Sequence, residues 1–206
     1  LDQINREVSP GSIVLLESGV YATPIAPASS GTKDEPIVYR PADGASPVFK
    51  NVSPAIHMKG KSFVRIEGLK FLDCPQFMSI ESSSHITVEN CDFENGEAWE
   101  SCRLKAMGDY FHFRNNSVRN GTDLLTIQGG SFHLIEGNTF AEASHTCLVF
   151  MGVHNSVIRN NQLINPTQKL LEIFATRARE WSGPYRKSEH ILIENNLFGP
   201  NGHAEV

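Results

Sequence analysis

The sequence of 206 residues lacks the features that define several common classes of protein. It has no uninterrupted apolar run of the roughly 18 residues that cross a bilayer, so no transmembrane segment is predicted. It has no basic cluster, and its 18 Lys and Arg against 23 Asp and Glu give a formal charge of −5. This balance argues against nucleic acid as a partner, because surfaces that bind nucleic acid are basic.

Cysteine is scarce, and the four cysteines show neither a CxxC motif nor the spacing of a zinc site. Cys91, Cys102 and Cys147 fall at apolar positions of the repeat described below, which predicts buried free thiols. For the four cysteines taken together, the alternative to free thiols is a disulfide between two of them. Cys102 and Cys147 are excluded as a pair, because two rungs of a stacked sheet place them about 9.6 Å apart.

What the sequence does contain is a phrase that repeats six times, in which alternating apolar residues lead to Asn or Gly. Successive phrase endings are 22, 25, 22, 23 and 35 residues apart. A period in this range indicates stacked structural repeats, and the last interval carries an insertion of about a dozen residues. The phrase-ending residues are Gly68, Asn90, Asn115, Gly137, Asn160 and Asn195.

Each repeat also carries a second apolar patch about ten residues before the phrase ending. Both patches alternate with a period of two, which predicts strands, and no helical segment separates them. Short strands at this spacing predict an all-β, right-handed parallel β-helix, the hand following from the chirality rule for parallel crossovers. The earlier patches are residues 55–59, 77–81, 102–105, 125–128, 148–151 and 171–174.

Two columns of the repeat are predicted to be architectural. Asparagine follows the phrase ending in four successive repeats, where a buried amide can hydrogen-bond its equivalents above and below. These residues are therefore set aside as site candidates: Asn116, Asn138, Asn161 and Asn196. A stacked apolar core column is predicted at Phe71, Phe93, Val118, Phe140, Leu163 and Phe198.

The repeat predicts one elongated domain over residues 1–206. Residues 1–50 form an N-terminal cap and first rung, with a capping helix in DQINREV, and residues 51–206 form the repeated rungs with a loop insertion at 168–187. A cap is needed because an open end of a β-helix exposes strand edges and core. The last repeat ends without one, so we expect the natural chain to continue beyond residue 206.

Outward positions of the earlier patch line up as two columns if one extra turn residue is allowed in the third repeat. Side chains in such columns stand about 4.8 Å apart and form the wall of a groove. One column is His57, Ser79, Arg103, Thr126, Val149 and Glu172. The other is Lys59, Glu81, Lys105, Gln128, Met151 and Phe174.

Several segments resemble secreted polysaccharide lyases of the chondroitinase B and alginate lyase family. The opening segments PGSIVLLESGVY, SGTKDEPIVYR and GLKF resemble the start of those proteins, and residues 95–130 resemble their catalytic stretch. The resemblance implies an acidic polysaccharide as partner and a secreted, cell-surface or periplasmic location.

The resemblance also implies roles for residues of this chain. Glu97 and Glu100 would hold calcium, Lys105 would be the catalytic base, and Arg103 and Gln128 would bind the substrate. Gln128 stands where the family has arginine. Glu97 and Glu100 are three residues apart, so they face one side only if a turn or bulge separates them.

Two further groups of residues are candidates for binding saccharide. His145 lies at a turn just before a strand. It is a candidate acid, base or ligand-binding residue, and the alternative is an ordinary surface histidine. The insertion at 168–187 combines cations with aromatic rings, which suits a carboxylated sugar. The same insertion is also consistent with a connection that packs Trp181 on the flank. Its candidate residues are Arg177, Arg179, Trp181, Tyr185 and Arg186.

Two functions remain open at this point. One is an extracytoplasmic carbohydrate-active or carbohydrate-binding β-helix, in its sharpest form a calcium-assisted β-elimination lyase on a uronic-acid polysaccharide. The other is a non-catalytic surface, scaffold or adhesin-like β-helix. The segment from Glu97 to Lys105 and the cationic loop favour the first, and the missing arginine at position 128 favours the second.

Overall fold

The computed structural model describes residues 1–106, 108–176 and 186–200. In these ranges the chain forms one short helix, α1 (Asp2–Glu7), and parallel strands that stack in three columns. The predicted all-β parallel β-helix is confirmed, and α1 lies where the N-terminal cap was predicted.

The first face of the coil is an eight-stranded parallel sheet. Its strands pair in regular register, each with its counterpart one repeat further along the chain. They are β1 (Ile13–Leu16), β3 (Ile37–Pro41), β6 (Ser62–Glu67), β9 (Ser84–Glu89), β12 (Phe111–Arg114), β14 (Leu134–Glu136), β16 (His154–Arg159) and β19 (Glu189–Glu194).

The second and third faces are joined by two long strands, β13 (Ser117–Gln128) and β15 (Thr139–Met151), which begin on the second face and end on the third. The other strands of the second face are β2 (Gly19–Tyr21), β4 (Pro47–Lys50), β7 (Lys70–Leu72), β10 (Asp92–Glu94), β17 (Gln162–Ile164) and β20 (Leu197–Phe198). Those of the third face are β5 (Ile56–Lys59), β8 (Met78–Glu81), β11 (Cys102–Lys105) and β18 (Lys169–Phe174).

Inward side chains fill the core, and each packs on its counterpart in the next rung. The predicted apolar column is confirmed, because register pairing links its members in sequence from Phe71 to Phe198. The rings of Phe71 and Phe93 stack with centroids 4.7 Å apart. Equal spacing of rungs therefore lets like side chains pack on like side chains along the interior.

The asparagine column connects successive rungs by hydrogen bonds. Nδ2 of Asn138 donates to Oδ1 of Asn161 at 2.9 Å and to the carbonyl of Phe113 at 2.8 Å. Oδ1 of Asn138 accepts from the backbone N–H of Asn116 at 2.8 Å. Asn161 is bonded in the same way to Asn196. These amides are thus engaged with one another and with backbone rather than with a ligand.

All four cysteines are free and buried. Burial raises the pKa of the Cys91 and Cys147 thiols to about 12. A thiol with so high a pKa is a poor nucleophile, so these residues act as small apolar side chains of the core. In the part of the chain that the structure describes, no helix has the length and apolar character needed to cross a membrane.

The loop predicted at 168–187 starts later than expected. Residues 169–174 form β18, which pairs with β15 as a regular rung of the third face. Lys169 and Glu172 are consequently fixed on the sheet.

We expect Asn138→Ala to lower the free energy of unfolding by about 3–5 kcal/mol, because it leaves several buried backbone and amide groups without partners. Chemical denaturation at neutral pH measures the change. Gln162→Ala is the matched control, since this amide is exposed on the adjacent rung. Equal losses for the two variants would contradict the role assigned to the asparagine column.

Acid should destabilise the fold through His133. Its Nδ1 accepts a hydrogen bond from the N–H of Phe111 at 3.1 Å, and its Nε2–H donates to the carbonyl of Gly129 at 3.0 Å. Burial lowers the pKa of His133 from 6.5 to about 4. The unfolded chain therefore binds a proton first, and stability falls between pH 6.5 and pH 4 by an amount on the order of 3 kcal/mol.

His133→Gln should remove most of this pH dependence, because the side chain that takes up the proton on unfolding is absent. Urea denaturation at pH 7 and at pH 4.5 measures the effect, with the exposed His57→Gln as control. A variant that keeps the full pH dependence of the parent protein would contradict the assignment.

Candidate functional site

The two outward columns predicted on the third face are confirmed by the register. Arg103 pairs with Ser79 on one side and with Thr126 on the other, and Thr126 pairs with Val149. Gln128 pairs with Met151 in the parallel column. The extra turn residue allowed in the third repeat thus lies between strands, and the register of the strands on either side is unchanged.

A groove of about 640 Å³ lies on this face. It brings together the predicted site residues Glu100, Arg103, Lys105, Gln128 and His145. The remaining lining comes from neighbouring rungs and adds acidic, basic and apolar side chains: Trp99, Asp123, Thr126, Val149, Met151, Lys169, Glu172 and Phe174.

Three carboxylates of the groove each have a basic partner. Glu100 Oε2 lies 3.1 Å from Nε of Arg103, and Asp123 Oδ1 lies 2.7 Å from Nδ1 of His145. Glu172 Oε1 accepts from Nζ of Lys169 at 2.6 Å. These pairs balance most of the charge within the groove, as expected for partly buried ionisable groups.

Lys105 is the basic residue of the groove that belongs to none of these pairs. Among the described residues, no carboxylate forms an ion pair with its Nζ, although Glu81 is its register neighbour. Glu81 is paired instead with Lys59, at 3.5 Å. The Nζ of Lys105 therefore has no carboxylate competitor among the described residues for a ligand in the groove.

Two buried oxygen atoms on the next rung also lack hydrogen-bond partners among the described residues. Thr126 and Gln128 are 1% and 5% exposed, and within the described ranges neither Thr126 Oγ1 nor Gln128 Oε1 has a hydrogen-bond partner. Nε2 of Gln128 makes only a long contact of 3.5 Å to Glu100 Oε1. Each atom exposes less than 1 Å², so a ligand in the groove would reach either oxygen only after the side chain turns, and until then the missing hydrogen bonds are a local cost.

His145 belongs to a connected network at the edge of the groove. Its Nδ1–H donates to Asp123, and the hydroxyl of Thr146 lies 3.0 Å from the same nitrogen and donates to Glu172 Oε2 at 3.2 Å. The ring of Trp99 lies 5.0 Å from the imidazole, centroid to centroid. The histidine is thus held in one orientation by its neighbours rather than standing free on the surface.

The carboxyl of Asp123 has a raised pKa. Burial is the main cause, while the hydrogen bond and the positive charge of His145 act in the opposite direction and the nearby Glu172 adds to the rise. Asp123 is therefore a weaker acid than an exposed aspartate.

The two residues predicted to hold calcium differ in their position relative to the groove. Glu97 is exposed and lies outside the groove, in the turn before Glu100, while the Glu100 carboxylate contacts Arg103 and Gln128. Among the described residues, no group of three His, Cys, Asp or Glu side chains could hold a metal ion. This arrangement of Glu97 and Glu100 does not fit a calcium site, so no chemical step is derived through the ion.

Most of the predicted cationic loop lies outside the described residues, namely Arg177, Arg179, Trp181 and Tyr185. Arg186 is described and is exposed. Its N–H donates to Oγ1 of Thr176 at 2.9 Å, and its carbonyl accepts from the N–H of Thr176. Arg186 does not line the groove, and its role in binding saccharide stays a prediction.

Trp99, Asp123 and Lys169 are groove residues that sequence reasoning missed. Asp123 and Lys169 each lie three residues before a member of the first outward column, as Glu100 does. A register irregularity between Gly121 and Asp123 turns this position outward, whereas strict alternation predicts that it faces inward. The recurrence of polar residues at this spacing was the available signal.

The stacked parallel faces and the polar groove define a β-helix protein with one elongated site across several rungs. The chain belongs to the right handed beta helix region family, whose model matches residues 54–204. Among curated proteins, none matches the chain in sequence.

Two solved structures share the fold. Pectate lyase Pel9A is 18% identical with a TM-score of 0.67, and the match covers 81% of this chain. The chain spans about half of that protein, 48% of its length. An alginate lyase from Paenibacillus sp. str. FPU-7 is 13% identical with a TM-score of 0.51, and the match covers 99% of this chain and 94% of the other.

We expect the pKa of Asp123 to rise further in His145→Ala, which removes both the hydrogen bond and the positive charge that lower it. Glu172→Gln should lower the pKa, because it removes a nearby negative charge. Carbon NMR of the aspartate carboxyl measures both shifts. Shifts of the same sign in the two variants would contradict the network described here.

Proposed function

We propose that this protein is a polysaccharide lyase that cleaves a carboxylated sugar chain lying along the third-face groove. The observation that carries the proposal is Lys105, an amine without a carboxylate partner among the described residues, in a groove whose other charges are paired. Arg103 lies beside it on the same strand, and Gln128 lies on the next rung with an unpartnered oxygen. This combination suits an anionic, hydroxyl-bearing ligand.

The reaction that these groups support is β-elimination. Nζ of Lys105, as the free amine, takes the proton from the carbon next to the sugar carboxylate. The electron pair of the broken C–H bond forms a C=C bond, and the C–O bond to the neighbouring sugar breaks. The departing oxygen takes a proton from water. Arg103 and the Nε2–H of Gln128 hold the carboxylate, where negative charge develops.

The groove also suits a sugar ring physically. Met151 and Phe174 continue the column of Lys105 and Gln128 and give the groove an apolar end. Rings of sugars have apolar C–H faces and polar edges, so a wall that changes from charged to apolar matches both. Successive rungs repeat about every 4.8 Å, which favours an extended chain over a compact ligand.

Comparisons with solved structures support this reaction class. The two structures of similar fold are named as lyases, one of pectate and one of alginate. Acidic polysaccharides of this kind occur outside the cytoplasm, so we place the protein at the cell surface, in the periplasm or in the medium. Calcium belongs to the proposal only as a condition to vary, because Glu97 lies outside the groove and Glu100 is paired with Arg103.

A non-catalytic carbohydrate-binding β-helix is the second candidate. It is favoured by Gln128, which is uncharged where the resemblance implies arginine, and by Arg103, whose charge is already met by Glu100. Such a protein would bind the same polymer in the same groove without cleaving it.

The test is incubation of the purified protein with alginate, pectate and chondroitin sulfate, with calcium or with a chelator. The new C=C bond next to the carboxylate absorbs in the ultraviolet, so absorbance follows the reaction directly. We expect product from at least one polymer, and we expect Lys105→Ala to lower the rate at least about 100-fold, because it removes the base.

Lys59→Ala is the matched control for Lys105→Ala. Lys59 is two rungs away in the same column, is paired with Glu81 and does not line the groove. It should retain the activity of the parent protein. Binding of a polymer without any absorbance change in all conditions would replace the lyase with the non-catalytic alternative.

A further inference from the structure

The first face carries a strip of four aromatic side chains, one on each of four successive rungs. They stand just before or near the start of β6, β9, β12 and β14. Successive ring centroids are 4.3, 4.8 and 5.2 Å apart. We name this group the aromatic strip, and its members are Phe63, His85, Tyr110 and Phe132.

Each residue of the aromatic strip has a backbone conformation that aromatic residues seldom adopt. Their φ angles lie between 53° and 63°, in the left-handed region that favours Gly and Asn. The same column continues with Asn155 and His190 on the next two rungs, at φ 46° and 56°. Asparagine is thus compatible with this position, which favours it over Phe and Tyr. Strain of this kind concentrates at functional sites.

Each ring of the aromatic strip packs on the next. Beside three of them lies a second cavity of about 520 Å³, which the fourth ring, Phe132, does not line. Tyr110 and Phe132 are equally exposed, at 41% and 45%, so they differ in this cavity and not in burial. The cavity separates the strip into a part that could contact a ligand and a part that is only structural.

The lining of this cavity is mostly aromatic and apolar, and Lys33 reaches it from the loop before β3. Arg65 lies on its floor, where Glu67 and Glu89 pair with the guanidinium group. Burial lowers the pKa of His112, which also lies on the floor. No Asp or Glu among the described residues lines the cavity itself, and the three rings give it apolar area against which a sugar ring can pack.

We propose that the aromatic strip and its cavity form a second binding surface for the acidic polysaccharide, separate from the groove and non-catalytic. The chemical class of the ligand rests on the proposed function. Carboxylates of the chain would meet Lys33, and its sugar rings would pack on the three aromatic rings that line the cavity, while the hydroxyl of Tyr110 and the side chain of Thr87 provide hydrogen bonds. A polymer held on the first face stays at the protein while another segment occupies the groove, which raises its local concentration there.

The test uses substitutions that suit the left-handed backbone. Tyr110→Asn and His85→Asn remove rings that line the cavity, and Phe132→Asn removes an equally exposed ring that does not. All three should fold and melt no lower than the parent, because asparagine adopts this conformation more readily. Affinity electrophoresis through gels containing alginate or pectate measures binding, with Lys105→Ala as background so that the polymer remains intact.

We expect Tyr110→Asn and His85→Asn to weaken binding of the acidic polymer about 10-fold, and Phe132→Asn to leave it unchanged. A neutral dextran gel should retard none of the proteins. Equal retardation of the Tyr110→Asn and Phe132→Asn proteins would overturn the proposal, and so would equal binding of dextran. A dimer of the parent protein that Tyr110→Asn dissociates without weakening polymer binding would assign the strip to self-association instead.

The outcome is distinguishable from that of the lyase assay. If no polymer yields unsaturated product but Tyr110→Asn still lowers retardation selectively, the second surface stands and only the reaction fails. If product forms but the strip variants bind like the Phe132→Asn control, the reaction stands and the second surface fails.

Discussion

The structure depends on one constraint, which is that backbone hydrogen bonds join each rung to the next at equal spacing, about 4.8 Å. Every inward position must then pack on its own counterpart, as Phe71 does on Phe93 and Asn138 on Asn161. Outward positions are under no such requirement. The interior therefore repeats chemically, and the outside can change from rung to rung, which is where a site becomes possible.

That constraint explains how much the sequence reveals. Interior columns repeat in type, so the coil, the asparagine column and the outward positions of Arg103 and Lys105 follow from spacing alone. Local backbone irregularities do not. The shift before Asp123 and the position of Glu97 outside the groove depend on how strands are joined, which side-chain alternation does not report. The groove was thus predictable along its columns and unpredictable at the edge formed by Trp99, Asp123 and Lys169.

The two outer surfaces differ in how their charges are balanced. On the third face, acids and bases are paired across neighbouring positions, and Lys105 is left over among the described residues. Such pairing keeps side chains in fixed orientations, which is what a reaction requires. The cavity of the first face is mainly aromatic, with Arg65 paired to Glu67 and Glu89 and with Lys33 as a further cation, so it suits contact with a polymer without orienting it closely. The first arrangement suits chemistry and the second suits retention of a polymer.

We infer that a carboxylated sugar chain lies in the third-face groove with its reacting unit at Lys105. A crystal structure of Lys105→Ala with a bound uronic-acid oligosaccharide would locate the chain. We expect it along the groove, with one sugar carboxylate within hydrogen-bond distance of Arg103 and of Gln128 Nε2 and its adjacent C–H directed at the position of the missing amine. A chain bound away from this groove, or with its carboxylates turned from Arg103 and Gln128, would contradict it.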